Sequence, residues 1–250
     1  MTVSVVIPVR DDADQLAGCL AALARQSVLP AEVVVVDNAS TDGSAAVAAE
    51  HGARVVVEPA VGIAPAAATG YDAARSTIIA RLDADSRPPA DWVEQIVGAM
   101  DRHPDVGAVT GNGEFHDLAP GLGAVVARAY LGAYYLLGHA AAANHVLWGS
   151  SMAMRREVWW QVRDRVHRSD PDIHDDLDLS LALGAVRVLR MPSLVVGVSA
   201  RSVRGAAQMR RRFRRAFRTL RLGWEHAPPW ERWAARLGLG ARGRARLEQR

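Results

Sequence analysis

Lysine is missing from all 250 residues, so each of the 30 basic side chains is an arginine. A phosphate loop ending in lysine, a pyridoxal Schiff base and a lysine general base are therefore excluded. Cysteine is nearly missing too. Cys19 stands alone in a helical pattern, which rules out an intrachain disulfide or a multi-cysteine zinc site and points to a reducing compartment. A basic leader followed by an apolar segment is also lacking, because Met1 runs directly into the strand-like Val3 to Val9. The expected location is the cytoplasm. One stretch of 26 residues, Ala129 to Met154, contains no Asp, Glu, Lys or Arg. A spanning helix needs about 20 predominantly apolar residues, and this run is interrupted by His139, Asn144, His145, Ser150 and Ser151. No transmembrane span is expected there. Tyr130, Tyr134, Tyr135, Leu136 and Leu137 suit a buried face, or an apolar face lying on a bilayer.

What is present is ordinary globular material, 50% hydrophobic and 23% charged, enough for one full core. Its charge is unevenly divided. Residues 201–250 hold fifteen arginines against Glu225, Glu231 and Glu248, a net +12 that leaves the first 200 residues at −9. A basic end on an acidic body fits an anionic partner, membrane lipid or pyrophosphate among them, and equally a solvated basic helix. The segment Arg201 to Arg221, Arg204 included, places Met209, Phe213, Phe217 and Leu220 at helical spacing among eight further arginines. Pro228 and Pro229 are expected to break that helix and to leave a poorly ordered tail.

β-branched runs alternate with alanine-rich helical stretches through the first half, the pattern of a parallel sheet covered by helices. Strands are expected at Val3 to Val9, Glu32 to Val36, Arg54 to Val57, Ile78 to Leu82 and Val106 to Val109. Helices are expected at Ala13 to Arg25, Ser44 to His51, Ala64 to Arg75 and Pro89 to Arg102, with Pro88 and Pro89 opening the last. The division predicted is a domain over 1–226, with a nucleotide-binding half over 1–110, an acceptor-side half over 111–226, and a basic tail over 227–250.

Three acidic groups follow apolar runs, where open parallel sheets bind ligands. Asp37 ends Val33 to Val36 and can accept from the N–H groups of a base, although capping of the next helix also accounts for it or for Thr41. Asp83 and Asp85 follow Ile78 to Leu82, and paired carboxylates there suit a hard divalent cation, Mg2+ or Mn2+, together with a diphosphate. His174, Asp175, Asp176 and Asp178 crowd the start of a helix, more than capping needs. An aspartate here can serve as general base if it stays ionised and reaches an acceptor hydroxyl.

With Val5-Val6-Ile7-Pro8-Val9, Val36 to Gly43, Arg81-Leu82-Asp83-Ala84-Asp85, Gly149 to Arg156 and Asp175-Asp176-Leu177-Asp178-Leu179-Ser180 in order, the chain resembles inverting glycosyltransferases of family 2 over roughly residues 3 to 215. The resemblance implies an α/β GT-A fold, a nucleoside-diphosphate-sugar donor and a glycan or lipid-linked acceptor for the cell envelope. It implies that Pro8, Val9, Asp37 and Asp83 border the nucleotide and that Asp85, with Asp83, binds the metal. Asp176 matches the catalytic aspartate, Asp175 stands where relatives have glutamate, and Gly149, Ser150 and Ser151 fall on the acceptor side. Gln208 and Arg211 match an element that contacts the diphosphate, but Arg212 replaces its tryptophan. Ala66-Ala67-Ala68-Thr69-Gly70 departs from an Ala-Arg-Asn-x-Gly stretch near the nucleotide. Peripheral attachment to an anionic membrane surface is expected of the arginine helix.

Two other readings compete. A phosphatase using Asp83 and Asp85 would ordinarily recruit a lysine, which the chain lacks. A non-catalytic module binding a sugar nucleotide or nucleic acid could use the arginine tail, but the aromatic residues form no stacking platform, so no nucleic acid partner is expected. Gly238 to Gly243 matches a dinucleotide fingerprint with no strand before it, and carries no weight.

Overall fold

The computed structural model describes residues 1–119, 121–203 and 205–239. Arg204 and residues 240–250, including most of the Gly238 to Gly243 pattern, lie outside the described residues. In chain order the elements are β1 (Val3–Val9), α1 (Ala13–Leu23), β2 (Glu32–Asp37), α2 (Ser44–Glu50), β3 (Arg54–Val57), α3 (Ile63–Ala73), β4 (Ile78–Arg81) and α4 (Trp92–Arg102). There follow β5 (Ala108–Phe115), α5 (Leu122–Ala142), β6 (Met152–Arg155), α6 (Arg156–Val162), α7 (Asp175–Leu183), β7 (Val188–Val198), α8 (Ala206–His226) and α9 (Pro229–Arg236).

The strands form one sheet in the order β3-β2-β1-β4-β6-β5-β7, and only β6 runs against its neighbours. This is the expected GT-A-like, mostly parallel sheet flanked by helices. Every residue of β1 is buried, as a central strand covered on both faces requires. Its side chains alternate between two cores. Val3, Val5, Ile7 and Val9 join Leu16, Cys19, Leu20 and Leu23 of α1 and Trp92, Val93, Ile96 and Met100 of α4. Val6 faces the other way, toward Val34, Val36, Tyr71 and Trp159. Here α3 approaches so closely that a Cβ on Gly70 would lie 2.3 Å from Val6 Cγ1 and 2.8 Å from Val36 Cγ2. Ala66, Ala67 and Ala68 of the same helix are buried.

Strand order reverses at β1, with β2 and β3 on one side and β4 on the other. A crevice therefore opens beyond the carboxyl ends of β1 and β4.

Several expectations need correction. β5 continues to Phe115 instead of ending at Val109, because Gly111 and Gly113 are strand residues whose missing side chains admit Ser151 and Trp148. α4 starts at Trp92, and Pro88 and Pro89 lie in the preceding turn, where Gln26 Nε2 donates to the Pro89 carbonyl at 2.7 Å. Pro228 and Pro229 do end α8, yet they also begin a new helix, with Pro229 at the first position where its missing N–H is harmless. α9 docks through Trp233 Nε1, which donates to the Ala140 carbonyl of α5 at 2.9 Å. The uncharged 129–154 run is divided between α5, a loop and β6, and its Tyr135 is buried while Leu136 and Leu137 are exposed. Among the described residues no helix is long and apolar enough to cross a membrane.

Glu32 ties the edge of the sheet together. Its Oε1 accepts from Ser4 Oγ at 2.6 Å and from the Arg75 N–H at 2.7 Å, and its Oε2 accepts from Arg54 Nη2 at 2.7 Å. Burial opposes its charge, but these donors outweigh burial and hold the carboxyl below its ordinary value of 4.5. A depressed acid contributes stability above the unfolded-state value and loses it as pH falls through the folded one. Glu32→Gln should therefore cost about 1–3 kcal/mol in urea unfolding at neutral pH. The gap from wild type should narrow as pH falls below the ordinary value of 4.5 and on through the lower folded one. A gap unchanged by acid would show that the charge of Glu32 is not what matters.

Candidate active site

The crevice is a cleft of about 470 Å³. β1 supplies Pro8 and Val9, and the end of β4 supplies Arg81, Asp83, Ala84 and Asp85. The loop before β6 adds Trp148 and Ser150, the start of α7 adds His174, Asp175 and Asp176, and a short turn after β7 adds Arg201. One side of α8 closes it with Gln208, Arg211, Arg212 and Arg215.

Arg81 is the hub. Its side chain is 3% exposed and bridges Asp83, at 3.1 Å from Nη2, and Asp175, through Nη1. It joins the sheet to the start of α7 across 94 residues of sequence. Gly149 makes room for it, since a Cβ there would stand 2.8 Å from Arg81 Cζ. Asp83 is also held from its other oxygen by Ser150 Oγ at 2.5 Å. Asp85 is more independent. It is 9% exposed, and its Oδ2 accepts only a 3.3 Å contact from Arg201 Nε. Burial and the adjacent Asp83 push its carboxyl up to about 6, with Arg201 opposing.

Across the cleft, Asp176 Oδ2 accepts from the Gly149 N–H at 2.9 Å and Oδ1 lies 2.5 Å from His174 Nδ1. Burial opposes ionisation of Asp176, but His174, Arg81 and the Gly149 N–H outweigh it and hold the carboxyl well below the usual range. His174 is raised in turn, the Asp176 carboxylate overcoming its own burial. Asp175 moves the opposite way from Asp176, raised by burial against the pull of Arg81. α8 fixes this corner, because Thr219 Oγ1 accepts from the His174 N–H at 2.9 Å.

The donors suit a divalent cation. Asp85 offers a carboxylate at the cleft wall, and ligand atoms of His174, Asp175 and Asp176 all lie within 4.8 Å of one another. Oxygen-rich sets of this kind accept Mg2+, and an added imidazole accommodates Mn2+.

Pro8, Val9, Asp83, Asp85, Ser150, Asp175, Asp176, Gln208 and Arg211 thus meet in one cleft. Asp37, Gly149 and Ser151 do not line it. Asp37 Oδ1 accepts from the Ser40 N–H at 3.1 Å and shapes the turn after β2, while α2 has Gly43 at its N-cap and takes no side-chain cap from Asp37 or Thr41. Ser151 is fully buried, with its Oγ accepting from Trp92 Nε1 at 3.1 Å. Gly149 acts through its N–H and its lack of a side chain. Asp178 turns away to His167, whose Nδ1 lies 2.7 Å from its Oδ1. An adjoining hollow of about 300 Å³ shares Pro8, Val9 and Arg10 with the cleft and extends to Asn38 and the start of α3. Sequence reasoning gave no separate role to Arg81 or Asp12, and offered Arg201 only as one of the arginines of the 201–221 segment that could close over a pyrophosphate. An arginine at the last position of an otherwise apolar strand was the available signal for Arg81.

The family model described as glycosyl transferase family 2 matches residues 4–163. The chain belongs to this family. An uncharacterised glycosyltransferase of Mycobacterium tuberculosis is 41% identical over 111 residues, covering 44% of this chain and 47% of that protein. Glycosyltransferase AglE of Haloferax volcanii is 33% identical over 121 residues, 45% of this chain and 40% of its own. The chain thus spans about half the length of the curated relatives it matches or less. Glucosyl-3-phosphoglycerate synthase from Mycobacterium tuberculosis in complex with UDP has a similar fold, with a TM-score of 0.63 at 22% identity over 88% of this chain and 78% of that one. Mannosyltransferase PcManGT from Pyrobaculum calidifontis, solved with GDP-Man and Mn2+, gives 0.65 at 22% identity over 97% and 75%.

Removing Arg81 leaves Asp175, 13% exposed, and the more accessible Asp83 without their shared cation. Arg81→Met should therefore destabilise the chain by about 3–5 kcal/mol in denaturant unfolding. Gly149→Ala, which pushes on the guanidinium, should lose a smaller part of that. Wild-type stability in both variants would remove Arg81 from the centre of the site.

Proposed function

We propose that the chain transfers a sugar from a nucleoside diphosphate to an acceptor hydroxyl with inversion, using Mg2+ or Mn2+, and that it acts in synthesis of cell-envelope glycan or glycolipid. The observation that carries this reading is a cleft at the carboxyl ends of β1 and β4 lined by Asp83, Asp85, His174, Asp175 and Asp176, with Arg81 bridging Asp83 to Asp175. The adjoining hollow of about 300 Å³ at Pro8 and Val9 supports a position for the base there.

The roles follow from the contacts. Asp85, supported by Asp83, would hold the cation. When bound, that ion supplies positive charge to the leaving diphosphate. Asp83, fixed by Arg81 and Ser150, orients the ribose side of the donor. Ionised Asp176 takes the acceptor proton as the hydroxyl attacks the anomeric carbon from the face opposite the nucleotide. Asp175 remains locked to Arg81, and Gln208 and Arg211 approach the diphosphate from α8. A single displacement with these groups inverts the anomeric centre. Residues 1–226 would make up the transferring unit, with α9 as its outer brace.

A panel of nucleotide sugars, assayed for turnover with and without Mn2+, tests the class of reaction. Turnover should vanish with chelator and in Asp85→Ala. Asp176→Asn should lose at least about a hundredfold in kcat with donor binding by calorimetry nearly intact, since an amide cannot accept the proton. An inactive Asp175→Asn beside an active Asp176→Asn would move the base by one position.

The acceptor side is proposed to meet an anionic membrane surface. Supporting this, Phe213 and Phe217 of α8 are 56% and 69% exposed between the outward arginines Arg210 and Arg214. Leu122, Val125, Leu136 and Leu137 of α5 and Trp230 of α9 are exposed as well. Arg211 and Arg215 line the cleft and Arg218 is paired with Asp170 at 2.6 Å, so fewer arginines face outward than the sequence count suggests. Each basic residue near such a surface contributes about 1 kcal/mol. The protein should float with anionic but not neutral liposomes, release with salt, and lose binding in Arg210→Gln/Arg214→Gln/Phe213→Ser/Phe217→Ser. Equal recovery with both vesicle types at low salt would favour a soluble acceptor.

A further inference from the structure

Arg201 occupies a position that the transfer mechanism leaves unused. It sits on the turn Ala200–Val203 that follows β7. Asp117 pins that turn, accepting from Ser199 Oγ at 2.9 Å and from the Ala200 N–H at 2.8 Å. From this fixed base the guanidinium forks onto both oxygens of Asp12, at 2.8 Å from Nη1 and through Nη2, and its Nε reaches Asp85 Oδ2 at 3.3 Å. Asp12 lies at the start of α1, so one cation joins opposite ends of the chain over the cleft wall. Its side chain remains 49% exposed, free to change partners without disturbing a core.

The contact is an electrostatic conflict in waiting. Asp85 is the carboxylate assigned to the divalent cation, and a guanidinium on the same carboxylate repels an arriving cation at a distance where unit charges interact strongly. One arginine also cannot neutralise two carboxylates, which leaves the pair short of positive charge and receptive to an ion. Once displaced, an arginine fork is a bidentate donor for phosphate oxygens, and the diphosphate must lie beside the cation.

We propose that Arg201 is a built-in competitor for the divalent cation at Asp85, and that the arriving cation releases it to grip the diphosphate. Arg201 is thus a positioning residue that makes cation and anion binding cooperative. This rests on the metal assignment of Asp85 made above, and it adds an order of events: cation first, then a grip on the phosphates that the cation itself has freed.

The test needs no donor sugar and no turnover. Mn2+ alone is titrated into the protein by electron paramagnetic resonance, followed by inorganic pyrophosphate at saturating Mn2+ by calorimetry. Arg201→Gln should bind Mn2+ on the order of tenfold more tightly than wild type. It should bind pyrophosphate on the order of tenfold more weakly. Arg201→Lys, a point charge without the fork, should recover the competition with Mn2+ but only part of the pyrophosphate affinity. Unchanged or weaker Mn2+ binding in Arg201→Gln would overturn the competition, and tighter Mn2+ binding with unchanged pyrophosphate affinity would overturn the release. Mn2+ binding that survives Asp85→Ala would move the cation away from Asp85, and failure of every protein to bind Mn2+ would remove the metal reading itself. Either result overturns the proposal for a reason distinct from the behaviour of Arg201.

Discussion

The buried guanidinium of Arg81 is the constraint on which the site depends. A charge that is 3% exposed is tolerable only when it is paired and hydrogen-bonded, and here it has two carboxylates from distant parts of the chain. Asp83 belongs to the loop that leaves β4, and Asp175 opens α7. Burial disfavours the Asp175 anion, and Arg81 opposes that effect. Joined through Arg81, Asp83 and Asp175 fix the distance across the cleft between the donor-side wall and the wall that carries Asp176. Gly149 belongs to the same construction twice over, giving the guanidinium its space and giving Asp176 an N–H.

The rest of the cleft is an alternation of charges, and the alternation assigns work. Asp83 and Asp175 are spent on Arg81. Asp176 is ionised by its neighbours, so it is ready to receive a proton but is not a strong base. His174 supports that state directly, and Tyr134 stacks against the imidazole with ring centroids 6.2 Å apart. Asp85 differs in its partner, since the arginine that meets it at 3.3 Å is half exposed and shared with Asp12. A carboxylate raised by burial and by a neighbouring anion gains from an added cation, which is what supports the proposed metal role of Asp85.

Much of this was legible beforehand, and the failures share a cause. The ends of β1 and β3 and the starts of α1 and α2 match expectation because local periodicity decides them. The end of β5 was misread at Gly111 and Gly113, since glycine punctuates a local pattern whereas here it answers to Ser151 and Trp148 packed against the strand. Pro228 and Pro229 were read as a stop, although the same residue that ends one helix can begin another when a surface, here α5, is available to receive it. Asp37, Ser151 and Asp178 carried plausible chemistry in sequence, and the fold gives them to a turn, to Trp92 and to His167. The partner of a polar side chain is chosen by chain brought in from far away, as Arg81 and Asp175 illustrate over 94 positions.

α8 draws the two halves of the function together. Its inward side gives Gln208, Arg211, Arg212 and Arg215 to the cleft and Thr219 to the His174 backbone. Gly223 lets the same helix press onto Leu181 of α7, where a Cβ would stand only 2.6 Å from Leu181 Cδ1. Its outward side carries Phe213 and Phe217 into solvent. A helix seated this firmly cannot tilt freely toward an external surface without pulling on the start of α7, and therefore on the corner that holds His174 and Asp176. Whatever meets the outer face of α8 is consequently coupled by packing to His174 and Asp176. Neither face can be altered as though the other were independent.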